Sequence, residues 1–90
     1  MKPILVTTSH RGVFAGLVPD DQDMNATTMA LDDARCAIYW ATTKGVAELA
    51  SDGPGEGSRI GSAANIAALH DITAVWDITP KAWKRWTSKP

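Results

Sequence analysis

Two strand-like runs on either side of an acidic loop constrain this chain more than any other feature. The first is Arg11-Gly12-Val13-Phe14-Ala15-Gly16-Leu17-Val18, and the second runs from Thr28 through Leu31 and Arg35 to Tyr39 and Trp40. Pro19-Asp20-Asp21-Gln22-Asp23-Met24-Asn25 separates them. Val13, Ala15 and Leu17 share one face of the first run, and Phe14, Gly16 and Val18 the other, which is the period-two spacing of a strand. Gly16 in mid-strand predicts a bulge or sharp bend. Pro19 cannot donate a ladder hydrogen bond and ends the run. Carboxylates favour local side-chain to backbone bonds over ladders, so Asp32-Asp33 predicts a turn or bend that splits the second strand. Its pieces are residues 26–31 and a later stretch with Cys36, Ile38 and Trp40 on one face and Ala37 and Tyr39 on the other.

Residues 4–8 form a β-rich run that Ser9-His10-Arg11-Gly12 turns back, with Gly12 free to take positive φ. Residues 46–50 fit one helical turn or an edge strand equally well. Residues 52–61 hold four of the seven glycines, Gly53, Gly55, Gly57 and Gly61, and read as a loop with unusual backbone angles. A weak strand follows at 66–69. Ile72, Ala74, Trp76 and Ile78 then alternate and predict an inward face with Trp76 buried. Thr79 suits a helix N-cap and Pro80 the first helical position. Residues 81–87 complete a short terminal helix with Trp83 and Trp86 on one face. Five or six short strands before one helix predict a mostly β fold. It is a small, strongly bent antiparallel sheet or barrel, a single domain over residues 1–90.

Composition limits the function classes. An apolar content of 44% supports a globular core and excludes a disordered chain. The core of so short a chain is small and is often supplemented by oligomerisation. All ten acidic residues lie between Asp20 and Asp77, whereas Lys81, Lys84, Arg85 and Lys89 crowd the last ten positions without an acid. That asymmetry and four tryptophans predict a homo-oligomer whose basic helix meets acidic loops of a neighbour. The single cysteine, Cys36, fits a reducing compartment. There is no apolar run of the roughly 18 residues that a membrane span needs. The N-terminus leads straight into a strand rather than a signal peptide. The expectation is a cytoplasmic protein without a membrane partner.

In the order Gly12, Gly16, Asp21, Met24, Asn25, Leu31, Asp32, Asp33 the first half resembles the first motif of the Sm-like family. Arg59-Ile60-Gly61 echoes the second motif, with one residue inserted. Asp23 stands where that family carries its base-stacking residue, and the usual N-terminal helix is absent. The resemblance implies an SH3/Sm-like barrel and, as an alternative function, a ring that binds single-stranded RNA. Most of the chain also resembles a family of small uncharacterised bacteriophage proteins. The carriers are Arg-Gly-Val-Phe from Arg11, Asp-Ala-Arg from Asp33, Ile-Tyr-Trp from Ile38, Gly53-Pro54 followed by Arg59-Ile60-Gly61, and Ile-Thr-Ala-Val from Ile72. This implies an anti-defence role in the host cell, by analogy with phage proteins that sequester nucleotide signals. A structural or accessory phage protein without a small ligand is a further alternative.

The chemistry legible in the residues is binding rather than catalysis. Gly55, Gly57 and Ser58 allow backbone amides to approach a phosphate, and Arg59 supplies the charge. No Lys-Ser or Lys-Thr follows the glycines, so this is not a nucleoside-triphosphate loop, and no βαβ unit surrounds it. Arg11 and Arg35 are further anion candidates. Tyr39 and Trp40 place one aromatic on each sheet face, so that one can stack on a base. His10 and His70 lie at turns, and no nucleophile–base–acid set joins them. Cys36 reads as a packing residue. The expected ligand is a nucleotide-type small molecule, held without a cofactor or metal.

Overall fold

The computed structural model describes residues 1–9, 12–40 and 45–88. Six strands and two helices follow in the order β1 (Lys2–Thr8), β2 (Val13–Val18), β3 (Met29–Tyr39), α1 (Val46–Ser51), β4 (Arg59–Ile60), β5 (Ala64–Leu69), β6 (Ile72–Asp77) and α2 (Pro80–Ser88). All pairings are antiparallel. The sheet runs β4-β3-β2-β1-β6, with β5 also on β3. One edge of β3 faces β2, so β4 and β5 share the other, β5 along residues 29–34 and β4 along 37–39. The fold is the predicted bent antiparallel sheet with a terminal helix. It does not close into a barrel.

The β1–β2 hairpin keeps a regular register from Lys2↔Val18 to Thr7↔Val13. At its tip Thr8 N–H donates to the Gly12 carbonyl at 3.0 Å, and Gly12 N–H to Thr8 Oγ1 at 3.1 Å. Glycine is needed at position 12 for closeness rather than for positive φ. A Cβ there would lie 2.7 Å from both the Phe14 ring and Thr8 Oγ1. His10 lies outside the described residues.

Two bulges decide which side chains face which core. Asp33 has φ 51°, and the β3 register slips around it against both neighbours. The strand therefore bends without breaking, which corrects the expected split at Asp32-Asp33. Opposite the slip, Gly16 admits β3 closely: a Cβ would sit 3.0 Å from Leu31 Cβ and 3.3 Å from Ala34 Cα. The amide of Asp33 is met by Asn65 Oδ1 at 2.9 Å, so β5 secures the bulge. The extra residue switches faces: Met29, Leu31 and Ala34 enter one core, Ala37 the other. A second slip separates Thr7↔Ala74 from Thr8↔Ile72 and leaves Thr73 as the extra residue. Ile72 consequently faces away from Trp76 and Ile78, against the expected single inward face. Trp76 is half-buried rather than buried.

Both sheet faces are covered, and so Ile4, Leu5 and Val6 are all fully buried in succession. On one side Leu5, Val13, Ala15 and Ala37 pack with Leu49 and Ala50 of α1 and Ala82 and Trp86 of α2. On the other, Ile4, Val6, Val18 and Leu31 are closed over by Met24, Ala26, Ile66 and Leu69. Residues 46–50 resolve to the helical alternative because Leu49 and Ala50 fall together on the sheet side. The carbonyls at the end of α1 lack intrahelical partners, and the α2 segment supplies them. Leu49 O accepts from Trp86 Nε1 (2.9 Å), Ala50 O from Thr79 N (3.0 Å), Ser51 O from Thr79 Oγ1 (2.8 Å) and Asp52 O from Arg85 Nη1 (3.3 Å). Thr79 Oγ1 also accepts from Ala82 N–H at 3.1 Å, which is the expected N-cap.

Candidate functional site

The end of β3 carries the exposed large hydrophobic side chains of the sheet. Ile38 and Tyr39 are 62% and 60% exposed. Tyr39 pairs directly with Arg59 across the β3–β4 ladder, and Arg59 is exposed too. The expected loop over 52–61 therefore ends early: Arg59 is a strand residue, held by backbone pairing next to an aromatic 20 positions before it in the chain. A slip between Ala37↔Ile60 and Tyr39↔Arg59 ends the regular ladder at this pair. Gly61 N–H returns to the Cys36 carbonyl at 2.8 Å and anchors the other end of β4.

The approach to Arg59 divides into two parts. Gly53 and Pro54 are buried under α2, and Gly53 N–H is taken by the Glu48 carbonyl at 3.0 Å. Gly55 to Ser58 then form a turn closed by Ser58 N–H on the Gly55 carbonyl at 3.1 Å. Gly57, at φ 90°, takes the third position, where a type II turn needs positive φ. Glu56 and Gly57 are exposed, and among the described residues nothing accepts from the amides of Gly55, Glu56 or Gly57. These amides lie directly before Arg59 in the chain, and Tyr39 is the ladder partner of Arg59.

The other candidates are placed differently. Arg35 is a structural residue in its contacts: Nη1 lies 3.1 Å from Asp33 Oδ2 and donates to the Asp33 carbonyl at 3.1 Å. Its guanidinium sits 5.6 Å from the centroid of the Trp83 ring. Trp40 is partly buried against the helix-side core, so Tyr39 is the aromatic that meets solvent. Arg11 lies outside the described residues. Ile38 and Tyr39 are both exposed because the register slips between Ala37 and Tyr39, so strand alternation from the sequence does not mark this pair. Desolvation by burial pushes the Cys36 thiol pKa above its ordinary value, which favours the protonated form. Among the described residues no three His, Cys, Asp or Glu side chains group to hold a metal ion. No described helix is long and apolar enough to cross a membrane.

A groove of about 500 Å³ lies at the other end of the strand order, between residues 24–27 and β6. Asp77 is the one charged side chain in its lining, so it offers a phosphate no cation.

Residues 1–86 match the family model of DUF6948, described as a domain of unknown function. No curated protein and no solved structure matches the chain.

Proposed function

The chain belongs to the DUF6948 family, whose description carries no activity, and from the site alone we propose a non-enzymatic protein that captures a phosphorylated nucleotide. The supporting observation is the exposed Tyr39–Arg59 pair. An aromatic face offers stacking to any base, and a neighbouring guanidinium offers a charge-assisted hydrogen bond to phosphate. The amides of Gly55, Glu56 and Gly57, shortly before Arg59, add donors for the same anion. The likeness to phage proteins extends the proposal to a homo-oligomeric sponge for a cyclic oligonucleotide immune signal, acting in the cytoplasm of an infected host.

The test is to denature protein purified from cells and identify released small molecules by mass spectrometry. Calorimetry against cyclic di- and trinucleotides and linear nucleotides follows. A released or bound nucleotide supports the reading; an empty eluate with no heat across the panel removes it. Single-stranded RNA is the second reading, favoured by the same exposed aromatic. RNA affinity would fall steeply and linearly with log salt because many phosphates are engaged, whereas one small ligand gives a shallow slope.

A further inference from the structure

We propose that the open edge of β6, together with the groove beside it, receives strand β5 from a second copy of the chain. This rests on the self-association proposed above and is independent of the nucleotide. Among the described residues three strands have a single neighbour: β6 pairs with β1, and β4 and β5 both pair with β3, β4 over 2 residues and β5 over its 6-residue length.

The orientation of the β6 backbone follows from one bond. Ile78 N–H donates to the Pro3 carbonyl at 3.3 Å, next to the Ile4↔Asp77 pair. Backbone groups alternate along an antiparallel ladder. Trp76 and Ala74 therefore point toward β1, while Val75 and Asp77 turn their N–H and C=O outward. Both line the groove, with Asn25, Thr27 and Thr73. The molecule already uses this edge once, where Ile72 N–H donates to the Thr27 carbonyl at 3.1 Å. Beyond that point residues 24–27 stand back and leave the groove open.

An exposed edge normally carries lysine or proline against unwanted pairing. Between Ile60 and Leu69 there is no charged residue and no proline. Ile66 and Leu69 of β5 enter the core, while Ala64, Asn65, Ala67 and Ala68 are exposed. The register slip between Met29↔Leu69 and Leu31↔Ile66 bends the strand at Ala67-Ala68, so the edge contact is short. Small side chains suit a narrow groove, and a strand without acids meets no repulsion from Asp77. The donor and acceptor edges lie at opposite ends of the strand order, so the contact is head-to-tail and repeats into a closed cycle or a filament.

The experiment is light scattering after size exclusion at tens of micromolar protein, with one variant blocking each edge. Ala68→Lys charges the exposed face of β5, and Ala64→Lys is its second version. Thr27→Arg fills the groove from an exposed loop position. The parent is expected to be oligomeric, and each variant monomeric with an unchanged circular-dichroism spectrum and a melting temperature that no longer depends on protein concentration. Mixed in equal amounts, Ala68→Lys and Thr27→Arg each retain the edge the other lacks and should form a 1:1 dimer and nothing larger. A monomeric parent overturns self-association and this contact together. An oligomer that survives both variants overturns the edge contact and leaves self-association standing. A mixture that stays monomeric, or disruption by Thr27→Arg alone, shows that β5 is not the donor.

Discussion

The indole N–H of Trp86 donates to the Leu49 carbonyl at 2.9 Å, inside the core where both residues are fully buried. This bond joins the terminal helix to a six-residue helix too short to be stable alone. Trp86→Phe keeps an aromatic ring but leaves the carbonyl unmet, at a cost of about 1–3 kcal/mol. Urea denaturation should show the midpoint falling with the m-value unchanged.

Arg35 binds within the molecule. Its guanidinium lies on Trp83 and against Asp33, with its side chain only 13% exposed. Arg35→Ala should destabilise the fold by roughly 1–2 kcal/mol through the lost cation–π contact and stem packing. Ligand affinity measured below the melting transition should not change.

The Tyr39–Arg59 pair should behave in the opposite way. Both side chains are exposed, so Arg59→Ala and Tyr39→Ala should melt within a degree or two of the parent. Arg59→Ala should weaken nucleotide binding by about 1.5–3 kcal/mol, and Tyr39→Ala by about 1–3 kcal/mol per stacked base. Unchanged calorimetric affinity in both variants would remove this surface from the site.

Gly53 and Gly57 share φ 90° yet differ in surroundings. A Cβ at Gly57 meets nothing within 4 Å, so Gly57→Ala costs only the left-handed strain of about 1–2 kcal/mol. A Cβ at Gly53 would lie 2.8 Å from Arg85 Cβ and 3.0 Å from the Ala82 carbonyl. Gly53→Ala adds overpacking to strain, roughly 2–5 kcal/mol in all, and should loosen α2. Parallel thermal melts would check the order.

The raised Cys36 pKa has a fixed sign. A thiol that holds its proton more tightly in the folded state contributes stability at neutral pH. That contribution is lost as pH rises from the unfolded-chain value of about 8.5 through the folded value. Alkylation by a maleimide at pH 7 should be slow in the folded protein and fast in urea. Cys36→Ser should flatten the alkaline decline in stability.

Local chemistry by itself determined the strand-rich architecture, the close approach at Gly16, the Thr79-Pro80 helix start and the irregular glycine-rich stretch after residue 52. Each depends on residues within a few positions of one another: alternation, a missing Cβ, a hydroxyl before proline. Tertiary structure decided which face each strand presents. An extra residue at a bulge inverts every side chain beyond it, and the slips at Asp33 and Thr73 are set by neighbouring strands. It also decided the candidate site. Arg35 and Arg59 are equally plausible as bare arginines. Only the fold places Trp83 of the last helix on one and turns the other outward beside Tyr39, because these partners come from distant segments joined by ladder and helix packing.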